Sequence, residues 1–512
     1  MTTKSLKNLF EIVFASFFLL ILCYSVSESA NRNVLFFPVF LAGLFGAYKL
    51  INKPSVKNES DDRRWERRYR FVWIAGFIMS VCFAFFLETE FTWDWGWVVK
   101  SSAQYVLDGT EPNTAYFAMY PNNLFITSII IAFFKIIHTI YPDASVTTLK
   151  NASMLLSCVL IQVAITFIYL TAKEIWGSKK AFFAGLLTLA YTPLFMYAQY
   201  AYSDTLAIPF SAAVSYLFIR IIKTDSVKKN LIYCTLIGLC VGIGGKLKFM
   251  VFIILIAGII TLFFTNNQWN DVLKKLLYSA VSTVAALAVF SLCSLAINPV
   301  FDYDEATLDR YEFPPQQWIM MMLNETGGYN RDDVEFSKQF ETYDEKKAAA
   351  QEEIKNRVVE MGVTKLLNHI FCTKLKRTWA DPTLAAGDYV RRDSMHEDGF
   401  MRNFFGYGGK YTGLFDVYIE TLHCLIITAL VYSAVKMRSD EQYTPEIFLM
   451  QLSLFGILLF LSIWECNSRY LYIFIPQLLI PALYAIIKPE VKADVIDSSK
   501  TKKRKNKQTK KR

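Results

Sequence analysis

The chain has 512 residues, of which 54% are hydrophobic and 16% aromatic, with a formal net charge of +9. Its apolar runs are continuous over about 17–25 residues, the length of a bilayer-crossing helix, and their lack of alternation excludes a β-barrel. Nine cysteines and four histidines are scattered without metal-ligand or redox spacing, which argues against a zinc-dependent hydrolase and against a disulfide framework.

The composition predicts an all-α polytopic membrane protein of about twelve transmembrane helices. In chain order the spans fall at roughly residues 9–25, 34–50, 71–88, 149–172, 181–199, 205–222, 229–244, 249–265, 275–297, 413–436, 446–463 and 470–487. The first run is followed by more spans and by no small-residue cleavage site, so it reads as a retained helix. The spans divide the chain into 1–70, two leading helices and a basic loop, and 71–297, a transmembrane core. Then come 298–412, an outer-loop subdomain, 413–487, the C-terminal helices, and 488–512, a basic tail.

Orientation follows from the cations. With the N-terminus inside, the basic stretches 51–70, 173–180, 223–230, 266–274, 437–445 and the tail KTKKRKNKQTKKR from Lys500 to Arg512 all fall on the cytoplasmic side. The tail reads as a partner of anionic lipid, not of nucleic acid. This arrangement requires residues 122–140, NNLFITSIIIAFFKIIHTI, to lie in or dip into the outer interface, because a true crossing would invert every later basic segment. Lys135 and His138 interrupt that run.

Two large pieces then lie outside: residues 89–148 and residues 298–412. Segment 340–378 of the second is predicted helical, with Ile354, Val358, Met361 and Leu366 at helical spacing, and the whole stretch reads as a mostly helical lid. Lys374, Arg377 and Trp379 follow as lid or substrate contacts.

Ionisable residues at the outer ends of the spans carry the chemistry, since charge at the edge of lipid is expensive and tends to mark a working site. Asp94, in FTWDWGWVV, sits between Trp93 and Trp95. It reads either as a solvated acid in an aromatic belt or as a base made more basic by apolar surroundings. Tyr120-Pro121-Asn122-Asn123 opens the interfacial segment, its asparagines serving as caps or as ligand contacts. Asp204, in AYSDTLAIPF, is a helix cap or a supporting acid. Lys246 and Lys248, in GGKLKFMVF, break the charge rule and suit an anionic ligand, Lys248 the more so; snorkelling to lipid phosphate is the alternative. Glu465 and Arg469, in WECNSRYLYIFIP, stand four apart, a spacing that lets Glu465 orient an arginine gripping phosphate. Trp318 lies in PPQQWIMMMLNETGGYN at the mouth of the lid.

The order of these motifs, from the first-loop acid through YPNN, YSDT, the glycine-lysine turn and the LNETGGYN loop to the closing WECNSRYLYIFIP, resembles the GT-C class of membrane glycosyltransferases. The likeness covers residues 71–487 and is nearest to the protein O-mannosyltransferase and aminoarabinose transferase group, especially members from Gram-positive bacteria. It implies a sugar on polyprenyl phosphate, used at the outer face of the plasma membrane; the cations, for their part, place both termini in the cytoplasm. By resemblance Asp94 matches the catalytic acid, Asp204 the second-loop acid, and Lys248 and Arg469 the residues near the donor phosphate. The chain lacks the β-trefoil domain of the eukaryotic mannosyltransferases and the WWD signature of oligosaccharyltransferases, and the two leading spans lie outside the likeness.

The expected reaction is inverting transfer of a sugar, hexosyl or mannosyl in type, to an envelope glycan, lipid or protein. Asp94 acts as base and the cations stabilise the departing monophosphate, so no cofactor or metal is expected. A separate donor synthase and flippase are implied as partners. Two other readings remain: a transporter or flippase of lipid-linked glycans, which more often shows paired halves and mid-membrane polar sites, and a glycan polymerase or ligase.

Overall fold

The computed structural model describes residues 3–29, 37–53, 59–265, 269–392, 394–439 and 444–488. The basic tail, apart from Lys488, lies outside these residues. Among the described residues the chain is helical with no strand, and a single bridge joins Thr89 to Ser394.

The principal helices in chain order are α1 (Thr3–Ser29), α2 (Phe37–Asn52), α3 (Glu59–Phe86), α4 (Trp93–Asp108), α5 (Thr114–Met119), α6 (Leu124–Ile140), α7 (Val146–Trp176) and α8 (Ser178–Ala190). They continue as α9 (Ser203–Ile222), α10 (Val227–Leu247), α11 (Val251–Phe264), α12 (Trp269–Leu295), α13 (Tyr343–Asn368), α14 (Thr412–Ser439), α15 (Pro445–Ile463) and α16 (Ile475–Ile486). Among the described residues ten helices are long and apolar enough to cross a membrane. Nine of these coincide with spans read from the sequence, and the tenth is Pro121–Ile140.

Three expected spans are shorter than crossing helices. Of the run at 34–50, residues 34–36 lie outside the described residues and the rest falls in α2, and the run at 249–265 forms the 14-residue α11, about 21 Å long. The run at 181–199 breaks at Ala190, where Pro193 has no amide to continue the helical hydrogen bonds and its ring would meet the carbonyl of Leu189. Residues 191–202 then run as turns wholly inside the protein, where their backbone groups find partners: the Tyr472 hydroxyl donates to Leu194 O at 2.9 Å.

α6 has the length of a span, yet both its ends belong to one end of the bundle. At its start Asn123 is hydrogen-bonded to Tyr202, and Ser128 accepts from the amide of Asn298. After Ile140 only residues 141–145 precede α7, a reach of at most about 18 Å. The first turns of α7 are tied back to the end of α3 through Lys150, which bonds Thr89 O and Glu88 at 2.7 Å each. A helix about 25 Å long and anchored in this way lies across the bundle end, as an interfacial helix does.

The same end carries the starts of α7, α9, α14 and the 3₁₀ segment Ser468–Phe474, and the finishes of α1, α3, α10, α12 and α15. The basic clusters collect at the other end, where Lys173 meets Glu66 at 2.8 Å, Lys223 meets Glu446 at 3.6 Å, and Lys7 reaches Phe264 O. α1 packs along α14 and supports the lid, with Phe18 edge-on to Trp379 at 5.3 Å.

Small residues set the tightest helix pair. Gly238 and Gly242, one turn apart on α10, face Ala285 and Val289 of α12, and a Cβ at Gly238 would stand 2.3 Å from that of Ala285. Gly238→Leu is therefore expected to force the pair apart, at about 1–3 kcal/mol or more. A lowered thermal midpoint in detergent checks this; an unchanged midpoint would mean that the two helices do not meet there.

Candidate functional site

α4 begins with a strained residue. Trp93 adopts φ 41°, a left-handed conformation unfavourable to a residue with a Cβ. Its ring holds it there, stacked on Tyr389 at 4.9 Å and edge-on to Tyr200 and Tyr202. Gly96 lets the first turn fold back on Phe91, whose backbone a Cβ would meet at 2.8 Å. The next side chain, Asp94, thereby enters a cavity of about 1790 Å³ between the bundle end and the lid.

Two phenols reach Asp94. Tyr116 donates to Oδ1 at 2.7 Å and Tyr202 approaches Oδ2 at 3.5 Å. Asn123 ties the two phenols together, donating to Tyr116 at 2.9 Å and accepting from Tyr202 at 2.8 Å. Burial, with Asp94 beside it, raises the Tyr116 phenol, which thus remains a proton donor. Asn123 makes no side-chain cap to α6; its amide is instead spent on the two phenols. Asn122 is exposed at the rim and bonds Asn123 at 3.2 Å. Tyr120 sits beside Tyr116, edge-on to Phe313 of the lid.

Asp204 is not on the cavity wall. It lies 1% exposed in the first turn of α9, where the capping is done by Tyr202 and Thr205. One of its oxygens meets Lys248, and the other lies 3.5 Å from Nε of Arg469. Lys248, expected as a free cation, thus has a built-in counter-ion 44 positions earlier in the chain. Burial pushes its ammonium down to about 8, with Asp204 working in the opposite direction. Lys246 turns to the rim, bonding Ser294 at 2.8 Å above the ring of Phe290.

The expected pair of Glu465 with Arg469 does not form. Residues 464–467 are not helical and Ser468–Phe474 winds as a 3₁₀ helix, so a spacing of four does not bring the two side chains onto one face. Glu465 instead accepts from the Tyr470 hydroxyl. Arg469 lies among aromatic rings, 4.8 Å from the centre of Trp93 and 5.7 Å from that of Tyr389. Its side chain, Nε included, makes no hydrogen bond among the described residues, and it lines the cavity. Two cations around one buried carboxylate give this clamp a net charge of +1, with donors left open on both Arg469 and Lys248 at the cavity.

The far wall is the lid. Trp318 stacks on Trp464 at 6.0 Å and 10°. Lys374 is buried, pushed down to about 8 by desolvation, and bonds Trp464 O at 2.8 Å. Arg377 reaches the cavity, whereas Trp379 is core. Beside the Lys246–Lys248 turn the cavity is walled by Phe249, 63% exposed, and by Phe290, which form an apolar flank at the edge of the bundle. Tyr116, Tyr202, Tyr389 and Tyr470 are site residues that the sequence reading did not single out; Tyr202, two positions before Asp204, and Tyr470, directly after Arg469, carried a signal. Among the described residues no three His, Cys, Asp or Glu side chains gather as a metal cage.

A family model described as "Conserved hypothetical integral membrane protein" matches residues 61–488. No curated protein matches the chain. Solved structures similar to it include the oligosaccharyltransferase AglB from Archaeoglobus fulgidus in complex with an inhibitory peptide and a dolichol-phosphate, at 15% identity and TM-score 0.43, covering 82% of this chain and 49% of that one. The apo form of the Archaeoglobus fulgidus oligosaccharyltransferase gives 14% and 0.44, covering 81% and 50%. ArnT from Cupriavidus metallidurans bound to undecaprenyl phosphate gives 10% and 0.35, covering 82% and 77%. The chain spans about half the length of the oligosaccharyltransferases it matches.

Proposed function

The chain belongs to the family of conserved hypothetical integral membrane proteins, and we propose that it is a glycosyltransferase moving a sugar from a polyprenyl-phosphate donor to an acceptor hydroxyl at the outer face of the plasma membrane. The observation that carries this reading is one wall on which Asp94, with an oxygen turned to the cavity, shares an aromatic box with Arg469, whose fork is unfilled. The motif order noted in the sequence, with its likeness to the GT-C class, supports it. So does the gathering of basic clusters at the opposite end, which turns the cavity outward by the positive-inside rule.

The clamp's charge matches the donor. A sugar linked through one phosphate to a prenol is a phosphodiester carrying a single negative charge, and Lys248, Arg469 and Asp204 together carry +1. The prenyl chain lies along the apolar flank of Phe249 and Phe290. Asp94 takes the proton of the acceptor hydroxyl as its oxygen attacks the anomeric carbon. The carbon–phosphate oxygen bond breaks on the opposite side, and Arg469 stabilises the charge that gathers there. The anomeric configuration inverts. Trp318, Trp464 and Tyr120 form the aromatic surround of the sugar and acceptor, a hexose or mannose-type ring joined to an envelope glycan, lipid or protein.

Arg469→Lys keeps the charge and loses the fork, so it is expected to weaken binding of polyprenyl phosphate by roughly 1.5–3 kcal/mol, tenfold or more, with little change in acceptor KM. Binding of farnesyl phosphate to the protein in nanodiscs measures it. The functional reading itself is tested by comparing envelope glycans in cells with and without the protein. Loss of one glycan constituent, restored by the wild-type chain and not by Asp94→Asn, is expected; identical glycans would count against it.

A further inference from the structure

Transfer changes the charge at the clamp. The bound donor phosphate carries one negative charge; once the sugar leaves, the phosphate is a monoester and carries two unless it gains a proton. The clamp offers only +1, and Asp94 has by then taken the acceptor's proton at the other end of the reaction. A second proton source beside the phosphate is needed to restore balance.

Glu465 occupies that place. It lines the cavity, is 5% exposed and forms no ion pair among the described residues. One carboxyl oxygen accepts from Tyr470, whose ring centre is 4.9 Å from the Lys248 ammonium, and the other has no partner among the described residues. The backbone pins it from both sides: Lys374 holds Trp464 O, and the Cys466 amide donates to Gly327 O of the lid at 2.8 Å. We infer that Glu465 is the general acid of the transfer, delivering a proton to the phosphate oxygen from which the sugar departs. The inference rests on the transferase reading above.

The step balances. The acceptor O–H proton goes to Asp94 as the new carbon–oxygen bond forms. The anomeric carbon–oxygen bond breaks, its electron pair stays on the phosphate, and the Glu465 proton joins that oxygen. Polyprenyl phosphate leaves as a monoanion, matched to the clamp; solvent then takes a proton from Asp94 and returns one to Glu465. Burial raises the Glu465 carboxyl above its ordinary value, which favours the acid form. The ionisable groups around it are Arg469 and Cys466 on its own segment, besides Tyr470, and Lys248 on the α10–α11 turn. Asp94 and Tyr120 face it from the first loop, and Tyr329, Lys374 and Arg377 from the lid. Asp94 reinforces the rise; Arg469 and Arg377 oppose it.

Two measurements test this on the full chain in nanodiscs. Glu465→Gln is expected to lower kcat about 10²-fold. The alkaline limb that belongs to the Glu465 carboxyl should then be lost from the rate profile. The deficit should shrink with a donor bearing a non-bridging thiophosphate, a less basic leaving group. A rate within twofold of wild type, or an unmoved alkaline limb, would overturn the role of Glu465 while leaving Asp94-dependent transfer intact; absence of any wild-type turnover would strike the transferase reading instead. The second measurement needs no variant. The ³¹P spectrum of farnesyl phosphate bound to the wild-type chain should report a monoanion about one pH unit above its free second pKa near 6. A bound dianion there would overturn the proposal.

Discussion

Asp94→Asn is expected to reduce turnover by about two to four orders of magnitude while leaving the chain folded and inserted. The amide has the carboxylate's shape and accepts the Tyr116 hydrogen bond through its oxygen, so the network of Tyr116, Asn123 and Tyr202 keeps its connections. It has no basicity with which to take a hydroxyl proton. Since Asp94 is half-buried at the cavity wall, the change creates no void and strands no buried charge, and the thermal midpoint should move little. Binding of farnesyl phosphate at the clamp should survive, because Arg469 and Lys248 are untouched. Retention of full turnover with a purified lipid-phosphate sugar would remove Asp94 from the role of base.

Lys248→Met is expected to have the largest effect on stability. The lysine side chain is 6% exposed and that of Asp204 is 1% exposed. Removing the ammonium leaves a buried carboxylate with only the 3.5 Å contact to Arg469, a loss of about 3–5 kcal/mol. The double variant Lys248→Met with Asp204→Asn removes both charges and should recover most of that loss, a coupling that a thermodynamic cycle reads directly. Function should not recover with stability, because the clamp's charge geometry is gone: donor use falls more than acceptor use. Simple additivity of the two substitutions would show that the pair does not form. In the wild-type chain the ammonium is charged below its titration at about 8 and neutral above it, so donor affinity should fall as pH rises past that value.

The sequence exposed these residues unevenly, for physical reasons. Asp94, Lys248 and Arg469 stood out because an ionisable group at the end of an apolar run is costly wherever it is placed. Tyr116 and Tyr202 did not, because tyrosine is common at membrane interfaces and its partners come from segments far apart in the chain. The pairing of Lys248 with Asp204 joins two helix ends that only folding brings together. The spacing of Glu465 and Arg469 implied a helical pair, but the turn there is not α-helical, and the two side chains take separate partners. Residues 181–199 have the hydrophobicity of a span; Pro193 breaks the helix, and burial, which hydropathy does not report, shelters the irregular backbone. For α6 the deciding constraint was connectivity, the five residues that return the chain to the end of α3.

The most direct measurement is release of polyprenyl phosphate by the purified protein in nanodiscs, supplied with polyprenyl-phosphoryl hexoses and a hydroxyl-bearing envelope acceptor. The cavity chemistry predicts release that is coupled to acceptor glycosylation with inverted anomeric configuration and is abolished in Asp94→Asn. Sugar transfer that proceeds equally well with Asp94→Asn, or with retained configuration, would contradict it.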